Sequence, residues 1–349
     1  GINFCPNGIL FDRELRTIYR PLDHFLTDWQ HTMASDGVAN TVIGMTLQSI
    51  KPCGFSLAQV RSFMMLCNMP SKYGKPCADW LGDNRLKSNT ISSFSNIVLN
   101  LLPILFLFVE MFCKSFPQLE AVIRCLTLLH VICGVFASGA DEAPKYAKLL
   151  ERMMCELHEL MVLLQYPLKP KLHHMHHIIL HMLWLGKLLS CFVCERKHRT
   201  IKDSALHVFR HIEHTVLTDV VNKQCHQMIN GGDLFREQFL VGPREISGAP
   251  GLLRSRTAIL HIGSVRVNDI VWLVDGRCGR IVMFYELSAN LVVCLDVFSV
   301  VLQDPTTFDE RQSMQSCIDP RTIVDSCTWV YDQPHIVRVV IPPLFLVSM

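Results

Sequence analysis

At 349 residues, half of them hydrophobic and 18% charged, the chain is long enough for two domains and a large core, which excludes wholesale disorder. A net charge of +2 excludes a uniformly basic nucleic-acid binder, so any such affinity has to come from a local patch. Fifteen cysteines, an odd number without framework spacing, read as reduced thiols in an intracellular compartment.

The first residues, "GINFCPNGILFDRELR", have neither the basic start nor the apolar run of a signal peptide. They begin with Gly, so the gene product is expected to start upstream. Residues 1–36 read as irregular, with short extended pieces such as "GILF" and "HFLTDW". Helical periodicity follows. Val38, Val42, Ile43 and Leu47 share a face, and "SLAQ" (Ser56 to Gln59) is a capping-box start for a helix that stops before Pro70. Residues 70–90 form a polar connection.

Two apolar runs come next, Ile97 to Cys113 and Ala121 to Ala137. The first carries Asn100, Pro103 and Glu110; the second carries Arg124 and His130. A charge near mid-bilayer costs roughly 2.5–3.5 kcal/mol, against about 0.3–0.6 gained per Leu, Ile, Phe or Val. Two helices buried in a soluble core are therefore favoured, and a two-helix membrane protein is the second alternative. The clearest helix spans about Ala143 to Tyr166. Leu149, Leu150, Met153, Leu157, Leu160, Met161 and Leu164 repeat at three and four, opposite Lys148, Glu151, Arg152, Glu156 and Glu159.

"KPKLHHMHHIILHML" then places His173, His177 and His181 at i, i+4 and i+8, on one helical face. Zinc is conceivable there, but a zinc site usually draws on more than one element. A His-rich helix packed beside acidic or phosphate groups is the favoured reading, and zinc is set aside. Cys191-x-x-Cys194 without a partner pair reads as buried cysteine, in preference to metal or redox use. A helix from about Thr200 to Ile229 is stopped by "NGG". "VGPREISGAPGL" reads as a linker over residues 243–257. Beyond it, an Asp275-Gly276 turn between β-rich runs, then "ANLVVCLDVF" and "HIVRVVIPPL", predict a small antiparallel sheet or open barrel within residues 258–349. The fold class expected is α+β.

Two acidic motifs remain: "TDWQH", with Asp28 and His31, and "CERKHRTIK", Glu195 to Lys202. Singly they are ordinary: Asp28 suits a helix cap, and Glu195 a first-turn acid facing the helix dipole. Their order is more informative. "GILFDRELR", "DWQH", "KPKLHHMHH" and "CFVCERKHRTIK", taken in sequence, resemble the catalytic region of CACTA/Plavaka-type cut-and-paste DNA transposases and their derivatives. The resemblance covers about residues 1–230.

That resemblance implies a partial RNase H-like core in residues 1–36 and, over residues 37–242, a large helical insertion with the helix of the catalytic Glu. It implies a DDE triad whose second acid is Asp28 and third Glu195, both metal ligands and catalytic. Two Mg²⁺ (or Mn²⁺) ions held by hard carboxylate oxygens would drive in-line displacement. His31, His173, His177, Arg196, Lys197, His198, Arg199 and Lys202 would face double-stranded DNA, the cations on its phosphates. A nuclear protein follows, with a homodimer allowed.

The departure is the triad's first Asp. Only 27 residues precede Asp28, and Asp12 and Asp23 lie too close to it to substitute. The chain is expected to be N-terminally incomplete and, as given, inactive. Enzymatic activity would need an upstream Asp. The alternative is a non-catalytic relic that binds DNA or protein.

Overall fold

A computed structural model describes residues 26–87, 89–191, 205, 212–230, 238–246, 252–287, 290–301 and 304–348. It is an α+β protein whose antiparallel sheet curls into a half-barrel.

The helical part is built around two long apolar helices. A short helix α1 (Trp29–Met33) is followed by α2 (Val38–Ser49) and α3 (Leu57–Leu66), the latter opened by the Ser56/Gln59 capping box read from sequence. A small hairpin, β1 (Leu86–Lys87) and β2 (Thr90–Ile91), leads into α4 (Ser95–Phe112) and α5 (Glu120–Ala137). A Cβ at Gly44 of α2 would come within 2.5 Å of the Thr90 backbone, so only glycine lets the hairpin pack this closely on that helix.

The amphipathic segment after residue 142 starts as a 3₁₀ turn, Ala143–Tyr146, and continues as α6 (Ala147–Leu163). Then come α7 (Pro170–Leu185) and α8 (Ile212–Asn230). The Thr200 to Ile229 helix is seen from Ile212 on and at Ala205; the rest of its first turns, and "NGG" beyond Asn230, lie outside the described residues.

One hydrophobic core joins α1 to α7. It includes Trp29, Val42, Ile43, Leu101, Leu105, Leu129, Ile132, Phe136, Leu150, Leu157, Met175 and Met182. By length and composition alone α4 and α5 could each cross a membrane. Here α5 packs against α2, α4 and α6, and Arg124 grips Glu156 of α6 through two bonds of 2.6 and 2.8 Å. His130 of α5 is wholly buried and stacks on Phe106 at 5.0 Å, its Nε2 without a hydrogen-bond partner.

The sheet starts earlier than the sequence reading placed it. Strands β3 (Phe239–Val241), β4 (Glu245–Ile246) and β5 (Leu252–Ser255) occupy ground read as helix end and linker. The linker assignment of residues 243–257 is therefore corrected. Its Gly and Pro residues flank short edge strands, a place where sheets tolerate them. The rest follow as β6 (Thr257–Leu260), β7 (Gly263–Arg266), β8 (Ile270–Leu273), β9 (Cys278–Leu287), β10 (Asn290–Val300), β11 (Thr307–Ile318), β12 (Ile323–Ser326), β13 (Trp329–Gln333) and β14 (Ile336–Val339).

The large sheet runs β12-β8-β9-β10-β11-β14-β13, with β5 also on β9 and β4 on β5; β3-β6-β7 form a second layer. Gly276, at φ +82°, makes the tight β8–β9 turn expected at Asp275-Gly276. Phe284, Val293, Leu295 and Ile323 fill one side of the sheet, and Trp272, Phe298, Phe308 and Val337 the other.

Sheet and helices are fastened together at several points. Asn68 and Trp329 exchange backbone hydrogen bonds of 2.8 and 2.9 Å. Lys72 meets Asp325 at 2.6 Å, and Ser71 bonds Asp269 through its hydroxyl at 2.8 Å. A last helix, α9 (Pro343–Ser348), drops Pro343 against Gly134 of α5, where any Cβ would come within 2.2 Å of the proline ring.

At the front, Asp28 leads into α1 from extended backbone and caps it, the role its position in the sequence suits, so Trp29–Met33 is helical within a stretch read as irregular. Residues 1–25, most of the span expected to hold a partial RNase H-like core, lie outside the described residues.

Two outcomes test this packing. Burial pushes His130 down to about 4, so the unfolded chain takes up the proton first; stability is full above pH 6.5 and falls as pH drops toward 4, by on the order of 3 kcal/mol. His130→Leu should flatten that slope in denaturant titrations between pH 4.5 and 7; an unchanged slope would refute the assignment. Lys72→Met, which strands the half-buried Asp325, should cost about 1–3 kcal/mol in urea unfolding. A change under about 0.3 kcal/mol would show the joint to be incidental.

Candidate metal and phosphate site around Asp28

The D-x-x-H spacing puts Asp28 at the N-cap of α1 and His31 one turn on. One carboxylate oxygen, Oδ2, accepts the backbone N–H of His31 at 2.8 Å and lies 2.7 Å from its Nδ1. The other, Oδ1, accepts the backbone N–H of Cys191 at 2.9 Å, from 163 positions along the chain. Cys191 Sγ lies 3.1 Å from His31 Nδ1 and donates toward Gln30 Oε1 at 3.2 Å. Asp28, His31 and Cys191 thus converge from two remote segments.

The surrounding structure holds this turn rigidly. Trp29 is 2% exposed and rests on Phe136 at 5.6 Å. The backbone N–H of Thr27 donates to His181 Nδ1 on α7 at 2.9 Å. Just beyond α1, Asp36 pairs with Lys169 at 2.6 Å, and the Ser35 carbonyl accepts from Lys171. Burial pushes the Asp28 carboxyl up, but the N–H groups of His31 and Cys191 outweigh it, and the net result lies below the ordinary carboxylate value. Asp28 is an anion here.

The α7 histidines share a face as the spacing predicts. His173 and His177 approach to 3.0 Å between Nε2 atoms, and His177 stacks on His181 at 6.1 Å. His158 Nδ1 meets His176 Nε2 at 3.0 Å. Among the described residues these rings meet other imidazoles and the Thr27 backbone, and the Glu151 carboxylate acts on His176. His181, lowered by burial and then by His177, is held neutral as an acceptor. The row therefore ends next to Asp28.

Glu195, Arg196, Lys197, His198, Arg199 and Lys202 lie outside the described residues, as does Cys194. Sequence reasoning missed Cys191 as a neighbour of Asp28. The i, i+3 pairing of Asp28 with His31 was legible, but nothing local announces a contact across 163 positions.

The resemblance implies Mg²⁺ or Mn²⁺ at Asp28, and the donors can be judged against that. Among the described residues, the side chains meeting this carboxylate bring an imidazole nitrogen and a thiol sulfur. Mg²⁺ demands a near-octahedral shell of oxygens. These donors do not fit it.

A concavity of about 340 Å³ lies on the sheet, lined by Arg280, Asp296, Phe298, Glu310 and His335 among others. Arg280 fills part of it, paired with Glu310 at 2.7 Å and set over the rings of Phe298 and Trp329. No sequence motif pointed there.

Asp28→Ala should cost about 2 kcal/mol, the sum of a lost cap and a lost charged acceptor. It should also speed hydrogen exchange at the Cys191 amide. Since folding depresses the Asp28 pKa, its contribution is full above the unfolded value near 3.9 and disappears as pH falls below it. Unaltered exchange at Cys191 would contradict the clamp.

No family model matches the chain, and no curated protein matches it.

Proposed function

We propose that this chain is a transposase-derived protein of RNase H-like descent that binds double-stranded DNA by its phosphates without cutting it. Two-metal DDE strand transfer is the chemistry of the complete ancestor, with a full triad of acids. The observation that carries the reading is the 2.9 Å hydrogen bond from Cys191 N–H to Asp28. It draws the D-x-x-H motif to the segment that holds Glu195, four residues beyond Cys191. Four residues of chain reach at most about 14 Å, whatever path they take. A DDE descent requires the two acids to be neighbours, and this contact supports it.

Binding without cleavage is supported by the company of Asp28, which among the described residues is an imidazole and a thiol in place of the oxygens that Mg²⁺ needs. The phosphate-binding residues assigned by this reading are Arg196, Lys197, Arg199 and Lys202 of the basic run, together with His31, His173, His177 and His198. Backbone contacts of this kind position a duplex without reading its sequence. Such a partner fits a nuclear protein. The protein cover over α5 and its Arg124–Glu156 link support a core role for the apolar helices over a bilayer span.

Fluorescence anisotropy with a labelled duplex tests the reading. Four phosphate contacts predict a log–log salt slope of about −3.6, and Lys197→Ala or Arg199→Ala should each reduce it by about 1. Supercoiled plasmid should stay intact in Mg²⁺ or Mn²⁺. Absence of duplex binding at low salt would end the proposal, while nicking abolished by both Asp28→Asn and Glu195→Gln would return the chain to the active transposases.

A further inference from the structure

Beyond the DNA-binding reading, and independently of it, the side chains around Asp28 carry a second inference. Asp28, His31 and Cys191 each offer a ligand atom, and these atoms all lie within 4.8 Å of one another. The closest separations are 2.7 Å between Asp28 Oδ2 and His31 Nδ1 and 3.1 Å between His31 Nδ1 and Cys191 Sγ. In a tetrahedral site with Zn–N and Zn–O near 2.0 Å and Zn–S near 2.3 Å, neighbouring ligand atoms sit about 3.2–3.8 Å apart. Opening the trio by roughly half an ångström makes room for the ion. His31 is on the solvent side of the trio, its side chain 53% exposed.

We propose that Asp28 Oδ2, His31 Nδ1 and Cys191 Sγ form a zinc-binding site, with its fourth position open to water. The mixed oxygen, nitrogen and sulfur set is what selects zinc over magnesium. Only one proton has to leave. Cys191 gives up its thiol proton to solvent as the S–Zn bond forms, and neutral His31 carries its remaining N–H on Nε2. No oxidation takes place.

The outer shell is already in place. Asp28 Oδ2 keeps the His31 backbone N–H on its second lone pair, while Oδ1 keeps the Cys191 N–H. These two bonds orient the carboxylate as second-shell donors orient metal ligands. Two ligands come from one turn of α1 and the third from 160 positions after His31. The ion would therefore staple the D-x-x-H turn to the chain just ahead of the basic run. Metal occupancy would set how firmly the two motifs are joined.

The test uses the whole chain, stripped with a chelator and then titrated with Zn²⁺ against a chromophoric competitor. The expected result is one equivalent bound with sub-micromolar affinity and about one proton released. His31→Ala and Cys191→Ser should each weaken binding at least about tenfold. Co²⁺ should give a thiolate charge-transfer band in the parent that Cys191→Ser lacks. Exposed cysteines elsewhere, such as Cys155 and Cys225, are controlled by replacing both with Ser, which should leave the titration unchanged.

Should Cys191→Ser fail to fold, His31→Ala decides, because its side chain is exposed. No zinc uptake by the parent, or tight uptake that survives both substitutions, overturns the site. Duplex binding measured on the same samples separates the two ideas. DNA binding without zinc defeats this inference alone, and zinc without DNA binding defeats the proposed function alone.

Discussion

The constraint on which the candidate site depends is a single carboxylate serving two masters. Asp28 caps α1 with one oxygen and holds Cys191 with the other. The first bond is local and would form in many short helices. The second ties together chain segments separated by most of the helical part. Its geometry is available only because Trp29 is sunk in the core beside Phe136 and Thr27 is tied to His181. A buried tryptophan fixes where α1 sits, and α1 fixes where the carboxylate points.

That arrangement in turn rests on α4 and α5. Helices this apolar gain little from solvent on any face, so they organise the others around themselves. α5 touches α2, α4, α6 and α9, and the curled sheet adds Val330 and Val340 to the same core. The polar features on these helices are placed where they can be met or tolerated. Arg124 reaches the α6 surface to find Glu156, while His130 stays neutral against Phe106. The joint with the sheet is polar by contrast, built from Lys72–Asp325, Ser71–Asp269 and a backbone exchange at Trp329. Directional bonds at that seam, beside the apolar contacts of Val330 and Val340, set how the sheet meets the helices.

Much of this was legible in the sequence where the physics is local. Periodicity located α2 and α6, the Ser56/Gln59 box located α3, and Asp275-Gly276 marked the β8–β9 turn. The histidine row on α7 followed from spacing alone. What failed had non-local causes. The strands at Phe239–Val241 and Leu252–Ser255 are short and owe their existence to the partners β6 and β9, which no window around them contains. Cys191 looked like a small hydrophobe at the end of an apolar run, yet it is half-buried and faces His31. Its role depends on which residue lies opposite, and periodicity has no access to that.

The chemistry of the site then turns on the softness of its donors. A catalytic pair of Mg²⁺ ions needs carboxylates with free lone pairs pointing into a shared, hydrated space. Asp28 instead stands, among the described residues, next to sulfur and imidazole, with one lone pair of each oxygen on an amide hydrogen. A carboxylate in that company keeps its charge but lacks the partner oxygens that a hard ion asks for. The same groups form a good inner shell for a borderline ion, with the amides acting as the outer shell. The carboxylate is the same whichever ion approaches; the identity of its neighbours decides what it can hold.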